Sequence, residues 1–374
     1  MTQQPRPYDL VRESCSDLLK NVPDLPVRLD TTAAGRMAQE LNAQAVRDFG
    51  TSLASDANFT GTSNTACTFP SVLTEVAYII LLHALDFGSG WRPELHRHHG
   101  RGAWLTIKPG VEALYRDAQR HHAYTYARNR QQQQQQKQQQ DQDQDQSPVL
   151  TSEWLSSVTL PQVTQAFGLQ DNPSLEQLAQ LLLTVIHDLG RGCQKYGSLE
   201  AFFEASVQLQ STLTPAGDLV GALVSHFPDT FDDRYSIDQT GGPPAQVFFY
   251  KKAQLVTGEI YHRFCKQDAR FQWPDGDKLT AYVDNVIVAT MRYKGVLVPN
   301  RALTQKIEEG VDIERASREE VALRAVALCG VEFIVQATGG ALGANELGNY
   351  LWAGLGKESA VRQFQRHATK TVFY

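Results

Sequence analysis

The strongest chemical signal in the sequence is a single carboxylate within an apolar segment. Asp284 stands in the run LTAYVDNVI, residues 279–287, with hydrophobic residues on both sides. Burying a carboxylate costs free energy unless it is paired or hydrogen-bonded, so a buried one usually has a specific role. The residues alone leave two interpretations open: Asp284 takes part in catalysis, or it caps a helix or anchors a buried hydrogen bond.

Other polar residues also lie beside apolar ones and have both a structural and a functional interpretation. Lys251 and Lys252 follow Phe-Phe-Tyr at the start of a helical pattern, where a lysine pair is ordinarily solvated. Tyr350 and Trp352, in the run NYLW, more often pack a helix than contact a ligand. The last residues end on Val-Phe-Tyr, and we expect such an apolar end to dock into the protein body.

Common catalytic and nucleotide-binding motifs are missing. The glycines of LGRGCQKYG, from Leu189, follow a helical pattern rather than a strand, and GSGW, from Gly88, is no dinucleotide fingerprint. HExxH, GxSxG and kinase signatures do not occur. The five cysteines are widely spaced and form no CxxC pair, which favours free thiols in a reducing compartment. We therefore expect no metal site and no cofactor.

The composition of the chain limits the kinds of partner that we expect. The 374 residues carry a formal net charge of −6, so we expect no direct nucleic-acid partner, although a small anionic ligand could sit in a local basic pocket. The N-terminal run MTQQPRPYDLVRESC has no apolar stretch, and no segment approaches the roughly 18 apolar residues of a membrane span. We expect a cytoplasmic protein without a membrane partner.

The elements that must position these residues are mostly helices. Apolar residues at helical spacing predict six of them, at residues 73–85, 175–189, 219–227, 248–265, 279–293 and 318–338. Only residues 104–107 and 296–298 read as short extended pieces. The pattern predicts an all-α fold with few short strands, in a single domain over residues 8–374. A low-complexity Gln/Asp tract, residues 130–147, interrupts it as a disordered insertion that a basic stretch (120–130) precedes as a helical extension.

Six segments in order are similar to those of the queuosine salvage family, whose members are described as queuosine 5′-phosphate N-glycosylase/hydrolases. They are VRESC from Val11, HALDFGSGWRPELH from His83, FYKKAQL from Phe249, LTAYVDNVI, EEVALRAVALCGVEFI from Glu319, and the C-terminal YLW with HATKTVFY. The likeness runs from about residue 10 to residue 374, with the Gln tract as an insertion. It implies a helical fold related to DNA glycosylases.

The resemblance also implies an activity. The expected reaction is hydrolysis of queuosine 5′-monophosphate, a small-molecule nucleotide, to queuine and ribose 5-phosphate without a metal, which salvages queuine for tRNA modification. By motif match, Asp284 is the catalytic carboxylate, Tyr282 contacts the base and Lys251 lies near the site. The other predicted substrate-binding residues are Asn285, Glu346, Asn349, Tyr350, Trp352 and His367.

The chemistry of N-glycosidic bond cleavage suits a buried aspartate as the catalytic group. Cleavage of an N-glycosidic bond develops positive oxocarbenium charge on the ribose, which an ionised carboxylate in a dry pocket stabilises. A 7-deaza base has carbon where a purine has N7, so it cannot be protonated there. Aromatic faces suit the ring, and cations suit the 5′-phosphate. The candidates for the phosphate are Lys251, Arg292, Arg366, His367 and Lys370.

Two positions depart from the family pattern and keep alternatives open. Gly348 and Ala353 stand where the family usually has acids that would suit the amine or the N–H groups of queuine. Glu346 is the candidate substitute. One alternative is a relative that binds a nucleotide or base without cleaving it, and another is an N-glycosidase for a different (deaza)purine nucleotide. A glycosylase that acts on nucleic acid is disfavoured by the overall acidity.

Overall fold

The computed structural model describes residues 5–55, 67–134, 148–208, 215–238 and 243–374. Helices make up 68% of the structure and strands 5%, which confirms the predicted all-α fold. Residues 135–147 of the predicted Gln-rich insertion lie outside the described residues. The basic stretch before the tract is helical, as expected, and the same long helix continues into the tract up to Gln134. The relation to DNA glycosylases stays a prediction.

The first half of the chain is almost entirely helical. Its α-helices are α1 Pro7–Asn21, α2 Thr31–Glu40, α3 Ala43–Ser55, α4 Val72–Ala84, α5 Arg92–His99, α6 Ala103–Gln134, α7 Ser152–Ser157, α8 Leu160–Phe167 and α9 Glu176–Gly192. Short 3₁₀ turns separate some of them, at Ser89–Trp91, Pro173–Leu175 and Gln194–Tyr196.

The second half continues with helices of varied length. They are α10 Leu199–Gln208, α11 Pro215–His226, α12 Pro228–Phe231, α13 Lys251–Phe264, α14 Asn285–Tyr293, α15 Arg301–Glu308, α16 Arg318–Ala337, α17 Ala344–Asn349 and α18 Ser359–Gln363. Three 3₁₀ turns occur at Ala269–Phe271, Gly276–Lys278 and Leu355–Lys357, and a π-helical turn occurs at Tyr350–Gly354.

Four short strands form two antiparallel pairs. Strand β1, Val27–Leu29, pairs with β4, Leu297–Pro299, and β2, Arg234–Ile237, pairs with β3, Ala245–Phe248. The predicted extended piece at 296–298 is therefore close to β4. The extended piece predicted at 104–107 is wrong, because those residues lie in the first turns of α6.

That error has a packing cause. The residues of 104–107 have β-branched and aromatic members, which raises their strand propensity, but tertiary packing decides. Ile107 and Thr106 are buried and Leu105 is exposed, while Gly110, one turn on, lets α8 approach so closely that a Cβ there would lie 2.2 Å from the ring of Phe167. Burial of one face therefore holds the segment as a helix.

Two of the predicted helices begin later than their apolar pattern. The segment 279–284 is not helical, and helix α14 begins at Asn285, because the side chain of Asp284 caps it. Helix α13 begins at Lys251 rather than at residue 248, since Phe248 ends β3 and Tyr250 takes the left-handed backbone conformation (φ 49°). Both starts lie beside the candidate site.

Helices α4 and α13 are largely buried and pack against each other. Helix α4 buries nearly every side chain from Thr74 to Ala84, as its continuous apolar run predicts. Two polar contacts fix the pair: Arg263 of α13 binds Glu75 of α4 at 2.8 Å, and Lys252 donates to the carbonyl of Ala84 at 2.7 Å. The C-terminal end of α4 and the N-terminal end of α13 are therefore held side by side.

One buried ionic cluster ties helix α16 to the rest of the core. Arg324 binds both carboxylate oxygens of Asp233, at 3.0 and 2.6 Å, and its guanidinium lies between the rings of Phe249 and Tyr374. Glu320 accepts hydrogen bonds from Arg324 at 3.3 Å and from the hydroxyl of Tyr374 at 3.1 Å. Side chains at the C-terminal end of the sequence are thus buried in the core, as expected.

A continuous cluster of buried hydrophobic side chains extends from Tyr8 to Tyr374. The single domain over residues 8–374 stays a prediction. Among the described residues, no single helix is long and apolar enough to cross a membrane, and one bent pair, Val72–Ala84 with Ser89–His99, meets that criterion only when taken together. No disulfide joins the cysteines in the described ranges.

Candidate active site

Asp284 caps helix α14 and at the same time faces solvent-accessible space. Its Oδ1 accepts hydrogen bonds from the backbone N–H groups of Val286 (2.8 Å) and Ile287 (3.0 Å). Its Oδ2 accepts a hydrogen bond from the indole N–H of Trp352 at 2.8 Å. The same side chain lines two adjoining chambers. The two interpretations left open by the sequence are therefore compatible: the cap fixes the carboxylate where a ligand can meet it.

Burial sets the acidity of this carboxyl group. Desolvation raises the pKa of Asp284 above its ordinary value, and nearby positive charge and hydrogen bonds oppose that rise, chiefly Lys251, the Ile287 N–H, Arg366 and the Trp352 indole. Three donated hydrogen bonds favour the ionised form, which only accepts. A carboxylate that is costly to bury yet held in one orientation can stabilise a positive charge that develops beside it.

The inner chamber has mainly aromatic and aliphatic walls. The space within it, including the part that is open to solvent, is about 460 Å³. The residues that line it are His83, Asp86, Trp104, Lys251, Leu255, Tyr282, Asp284, Ile287, Gly348, Asn349 and Trp352. A mostly apolar cavity with a few convergent polar groups is the usual form of a site for a flat organic ring.

The outer chamber is larger and basic. The space within it, including the part that is open to solvent, is about 1070 Å³. Four arginines line it: Arg92, Arg101, Arg362 and Arg366. It also contains Ser89, Asn285 and Tyr374. Positive charge concentrated in a concave wall attracts and binds an anionic group, although the protein as a whole is acidic.

The two chambers share one boundary. Both are lined by Asp86, Trp104, Lys251, Asp284 and Trp352. Asp284 thus lies where an apolar space meets a basic one. A ligand with an uncharged ring at one end and an anion at the other would place its middle against this carboxylate.

Lys251 reaches this boundary because of how α13 begins. Tyr250, in the left-handed conformation, turns the chain sharply, so that Lys251 is the first residue of the helix. Its ammonium lies 3.4 Å from a carboxylate oxygen of Asp86, and only 6% of the residue is exposed. The adjacent lysine points elsewhere, to the carbonyl of Ala84. The pair therefore splits into one lysine in the site and one in the core, and neither is a solvated surface charge.

Trp352 depends on an irregular helix. It lies in the π-helical turn Tyr350–Gly354, which follows directly on α17. π-Helical turns are rare and frequently occur at functional sites because they change the direction in which a side chain points. Here the turn accompanies an indole that donates its N–H to Asp284.

The structure brings together six of the predicted site residues. Those that line a chamber are Asp284, Tyr282, Lys251, Asn285, Asn349 and Trp352. Tyr282 is buried, and its hydroxyl points at Gly258 of α13, where a Cβ would lie only 2.0 Å from the oxygen. Its ring, rather than its hydroxyl, is thus the part available to a ligand.

Three predicted site residues lie outside both chamber linings. Glu346 accepts from the backbone N–H of Gly343 at 2.8 Å and so caps α17. Tyr350 packs edge-on against Phe49, with ring centroids 5.5 Å apart. His367 is buried behind Tyr374, and burial lowers its pKa to about 3, so it carries no charge at neutral pH.

The residues predicted to bind the phosphate also divide into those that line a chamber and those that do not. Arg366 and Lys251 line the outer chamber. Arg292 instead donates to the carbonyl of Gln365, and Lys370 binds Glu94 at 3.3 Å. Neither is among the lining residues.

Sequence reasoning missed several residues that line the chambers. They are His83, Asp86, Ser89, Arg92, Trp104 and Arg362. His83 and Asp86 carried the same signal as Asp284, a polar residue within an apolar helix or at its end. The arginines carried none, because exposed basic residues are common and only the fold gathers them.

The described part of the chain contains no cluster of side chains that could bind a metal ion. No group of three or more His, Cys, Asp or Glu side chains there is arranged to hold an ion. The chemical groups available at the chamber boundary are a carboxylate, an ammonium and an indole N–H.

Comparison with known proteins gives two findings. A family model described as queuosine salvage protein matches residues 74–374. A protein of Sphaerobacter thermophilus named queuosine 5′-phosphate N-glycosylase/hydrolase is 27% identical over 231 residues, which cover 61% of this chain and 67% of that protein. The residues named above for both chambers all fall within the range of the family match.

Proposed function

Because this chain belongs to the queuosine salvage protein family, we propose that it is a hydrolase that cleaves the N-glycosidic bond of queuosine 5′-monophosphate. The products are queuine and ribose 5-phosphate. The observation that carries the proposal is the position of Asp284 at the boundary between an apolar chamber and a basic one. The base would occupy the inner chamber, the ribose would lie at the boundary, and the phosphate would lie in the outer chamber.

The reaction breaks the bond between C1′ and the base nitrogen, and the electron pair leaves with the base. Positive charge then develops on C1′ and the ring oxygen, and the carboxylate of Asp284 stabilises it. The two backbone N–H groups and the Trp352 indole hold that carboxylate rigidly, so little reorganisation is needed as the charge forms. Water adds to C1′. One of its protons ends on the released base, and the other stays in the new hydroxyl group on C1′.

Phosphate recognition is supported by polar atoms that lack protein partners. The hydroxyl of Ser89 and the Nε of Arg366 are both buried without a hydrogen-bond partner, and both residues line the outer chamber. Leaving such atoms unsatisfied costs about 1–3 kcal/mol each. A bound phosphate would accept from both, with Arg92 as a second cation nearby.

The exact base depends on two positions. A Cβ at Gly348 would lie 2.9 Å from the Cβ of Ala281, so the aspartate usual in the family would not fit there without a shift. Ala353 is also buried. These two residues favour, as a second candidate, an N-glycosidase for a different deazapurine nucleotide.

The decisive experiment is incubation with queuosine 5′-monophosphate, followed by chromatography for free queuine and ribose 5-phosphate. We expect both products in equal amounts, and the rate should persist in EDTA because the proposed reaction uses protein groups alone. Release of 7-deazaguanine from its nucleotide, but no release of queuine, would favour the second candidate. Tight binding of the nucleotide without product would make the protein a non-catalytic binding relative.

A further inference from the structure

The outer chamber carries more positive charge than one phosphate group neutralises. Among the residues that the structure describes, five cationic side chains and two carboxylates line it. The cations are Arg92, Arg101, Lys251, Arg362 and Arg366, and the carboxylates are Asp86 and Asp284. The chamber thus has an excess of three positive charges, whereas a phosphate monoester carries about −1.5 to −2 at neutral pH.

The four arginines of this chamber are not neutralised within the protein. In the described part of the chain, none of their guanidinium groups forms an ion pair with a carboxylate. Other arginines do: Arg12 binds Glu332 at 2.9 Å, and Arg263 binds Glu75 at 2.8 Å. A guanidinium without a carboxylate partner keeps its N–H donors available to an anionic ligand.

The same arginines repel one another. Burial lowers the pKa of Arg366, and the like charges of Arg92 and Arg362 lower it further, while Asp284 opposes them. Like charges brought together weaken the folded state unless a counter-charge binds. A ligand with several negative charges therefore explains the cluster better than the stability of the fold does.

The exposure of these arginines increases from the chamber boundary outward. Asp284, at the boundary, is buried, and Arg92 and Arg366 are half-buried. Arg101 and Arg362 are exposed. Because the phosphate of the proposed substrate is matched by the two half-buried arginines, the two exposed ones remain for a group that lies further out.

Building on the proposed function, we propose that Arg101 and Arg362 form a second anion subsite, and that the protein also hydrolyses the nucleoside 5′-diphosphate. The first phosphate lies at Ser89, Arg92 and Arg366, and the second lies toward solvent. A diphosphate carries about three negative charges, which match the excess in the chamber. Only the bond between C1′ and the base breaks, so water converts queuosine 5′-diphosphate to queuine and ribose 5-diphosphate, with the phosphoanhydride intact.

The first test compares queuosine 5′-monophosphate and queuosine 5′-diphosphate as substrates, with queuine release measured by chromatography. KM for the diphosphate should be at least about 5-fold lower than KM for the monophosphate, because the second phosphate adds charge-assisted hydrogen bonds. The values of kcat should be similar, since the second phosphate lies far from the bond that breaks. An equal or higher KM for the diphosphate would overturn the proposal.

Arg101→Gln and Arg362→Gln each remove one cation of the second subsite. Each should raise KM for the diphosphate about 10-fold, and KM for the monophosphate by no more than about 2-fold. The melting temperature should not fall, because both side chains are exposed and neither binds a carboxylate in the described part of the chain. An equal rise in KM for both substrates would contradict the second subsite.

Arg97→Gln is the matched control, because it changes the net charge by the same amount. Arg97 is an exposed arginine of α5 that donates to the carbonyl of Pro93 and does not line the outer chamber. It should change neither KM. A preferential loss of the diphosphate in this variant too would show a general effect of charge and overturn the proposal.

Binding of inorganic phosphate and inorganic pyrophosphate, measured by calorimetry, needs no hydrolysis and so separates the two proposals. Wild-type protein should bind pyrophosphate at least about 10-fold more tightly than phosphate, and Arg101→Gln should remove most of that preference. If queuine is released but neither KM nor affinity distinguishes one phosphate from two, the proposed function stands and this inference falls. If pyrophosphate is preferred but no nucleotide is hydrolysed, the second anion subsite stands and the proposed reaction falls.

Discussion

Two buried polar regions of this protein follow opposite rules. In the core, Arg324 binds Asp233 and Glu320, and the hydroxyl of Tyr374 also donates to Glu320. At the chambers, His83 and Ser89 have buried polar atoms without a protein partner. A buried charge matched by opposite charge serves the fold, whereas an unpartnered polar group that lines a chamber is available to a ligand.

The two buried carboxyl groups Glu320 and Asp284 make the contrast sharper. Burial raises the pKa of both. Glu320 is held by a buried arginine and a tyrosine. Asp284 receives only backbone and indole hydrogen bonds and faces two chambers. The same desolvation therefore accompanies a structural anchor in one place and, under the proposed function, the catalytic carboxylate in the other.

Breaking the core cluster should have the largest effect. Arg324→Met removes the cation but leaves Asp233 and Glu320 buried without it, which should cost about 3–5 kcal/mol of stability. Chemical denaturation monitored by circular dichroism measures this loss. A variant with the wild-type midpoint would mean that the cluster is not the anchor we infer.

Asp284→Asn should have its effect on rate rather than on stability. Asparagine is also a good helix cap, so the change in unfolding free energy should stay below about 1 kcal/mol. Turnover of queuosine 5′-monophosphate should fall by about 10²–10³-fold or more, because an amide carries no negative charge to stabilise the transition state. Rates come from chromatography and stability from denaturation of the same preparation. Near-normal turnover would refute the catalytic role.

Acidification should affect the site before it affects the fold. The raised pKa of Asp284 means that its carboxylate is lost at a higher pH than an ordinary aspartate, so kcat/KM should fall about tenfold per pH unit below that pKa. Acidification has the opposite effect on the stability contributed by this group. The folded state binds this proton more tightly than the unfolded chain does, so protonation of Asp284 favours folding. A pH–rate profile with melting temperatures at each pH measures both. A rate that stays constant down to about pH 4 would contradict this expectation.

Ser89→Ala should have the smallest effect, confined to substrate binding. It removes one hydroxyl that has no protein partner, so the melting temperature should stay the same or rise. KM for the 5′-monophosphate should increase about 3–10-fold, as expected for one hydrogen bond. The nucleoside without its phosphate serves as the control substrate, and its kinetics should not change. An equal effect on both substrates would place the hydroxyl away from the phosphate.

The fold was predictable wherever hydrophobic spacing is continuous. Helices α4, α9 and α16 follow from their apolar patterns because burial of a helical face is a local, periodic signal. The exact starts of α13 and α14 were not predictable, because each depends on one residue. For α13 it is Tyr250, in the left-handed conformation, and for α14 it is Asp284, which caps the helix. The site was predictable in part through Asp284 and Lys251, but Glu346, Tyr350 and His367 lie outside its chambers.

The amino-acid sequence by itself determined that this protein is helical and that an aspartate at residue 284 needs a partner or a use, since both follow from the free energy of burying apolar and charged groups. Only the tertiary structure decided which polar residues meet. His83, Arg92 and Asp284 are far apart in the chain, yet the packing of α4 against α13 and the turn at Trp352 form the two chambers that they line. Whether a buried polar atom finds a partner depends on neighbours from other elements, and local sequence does not specify them.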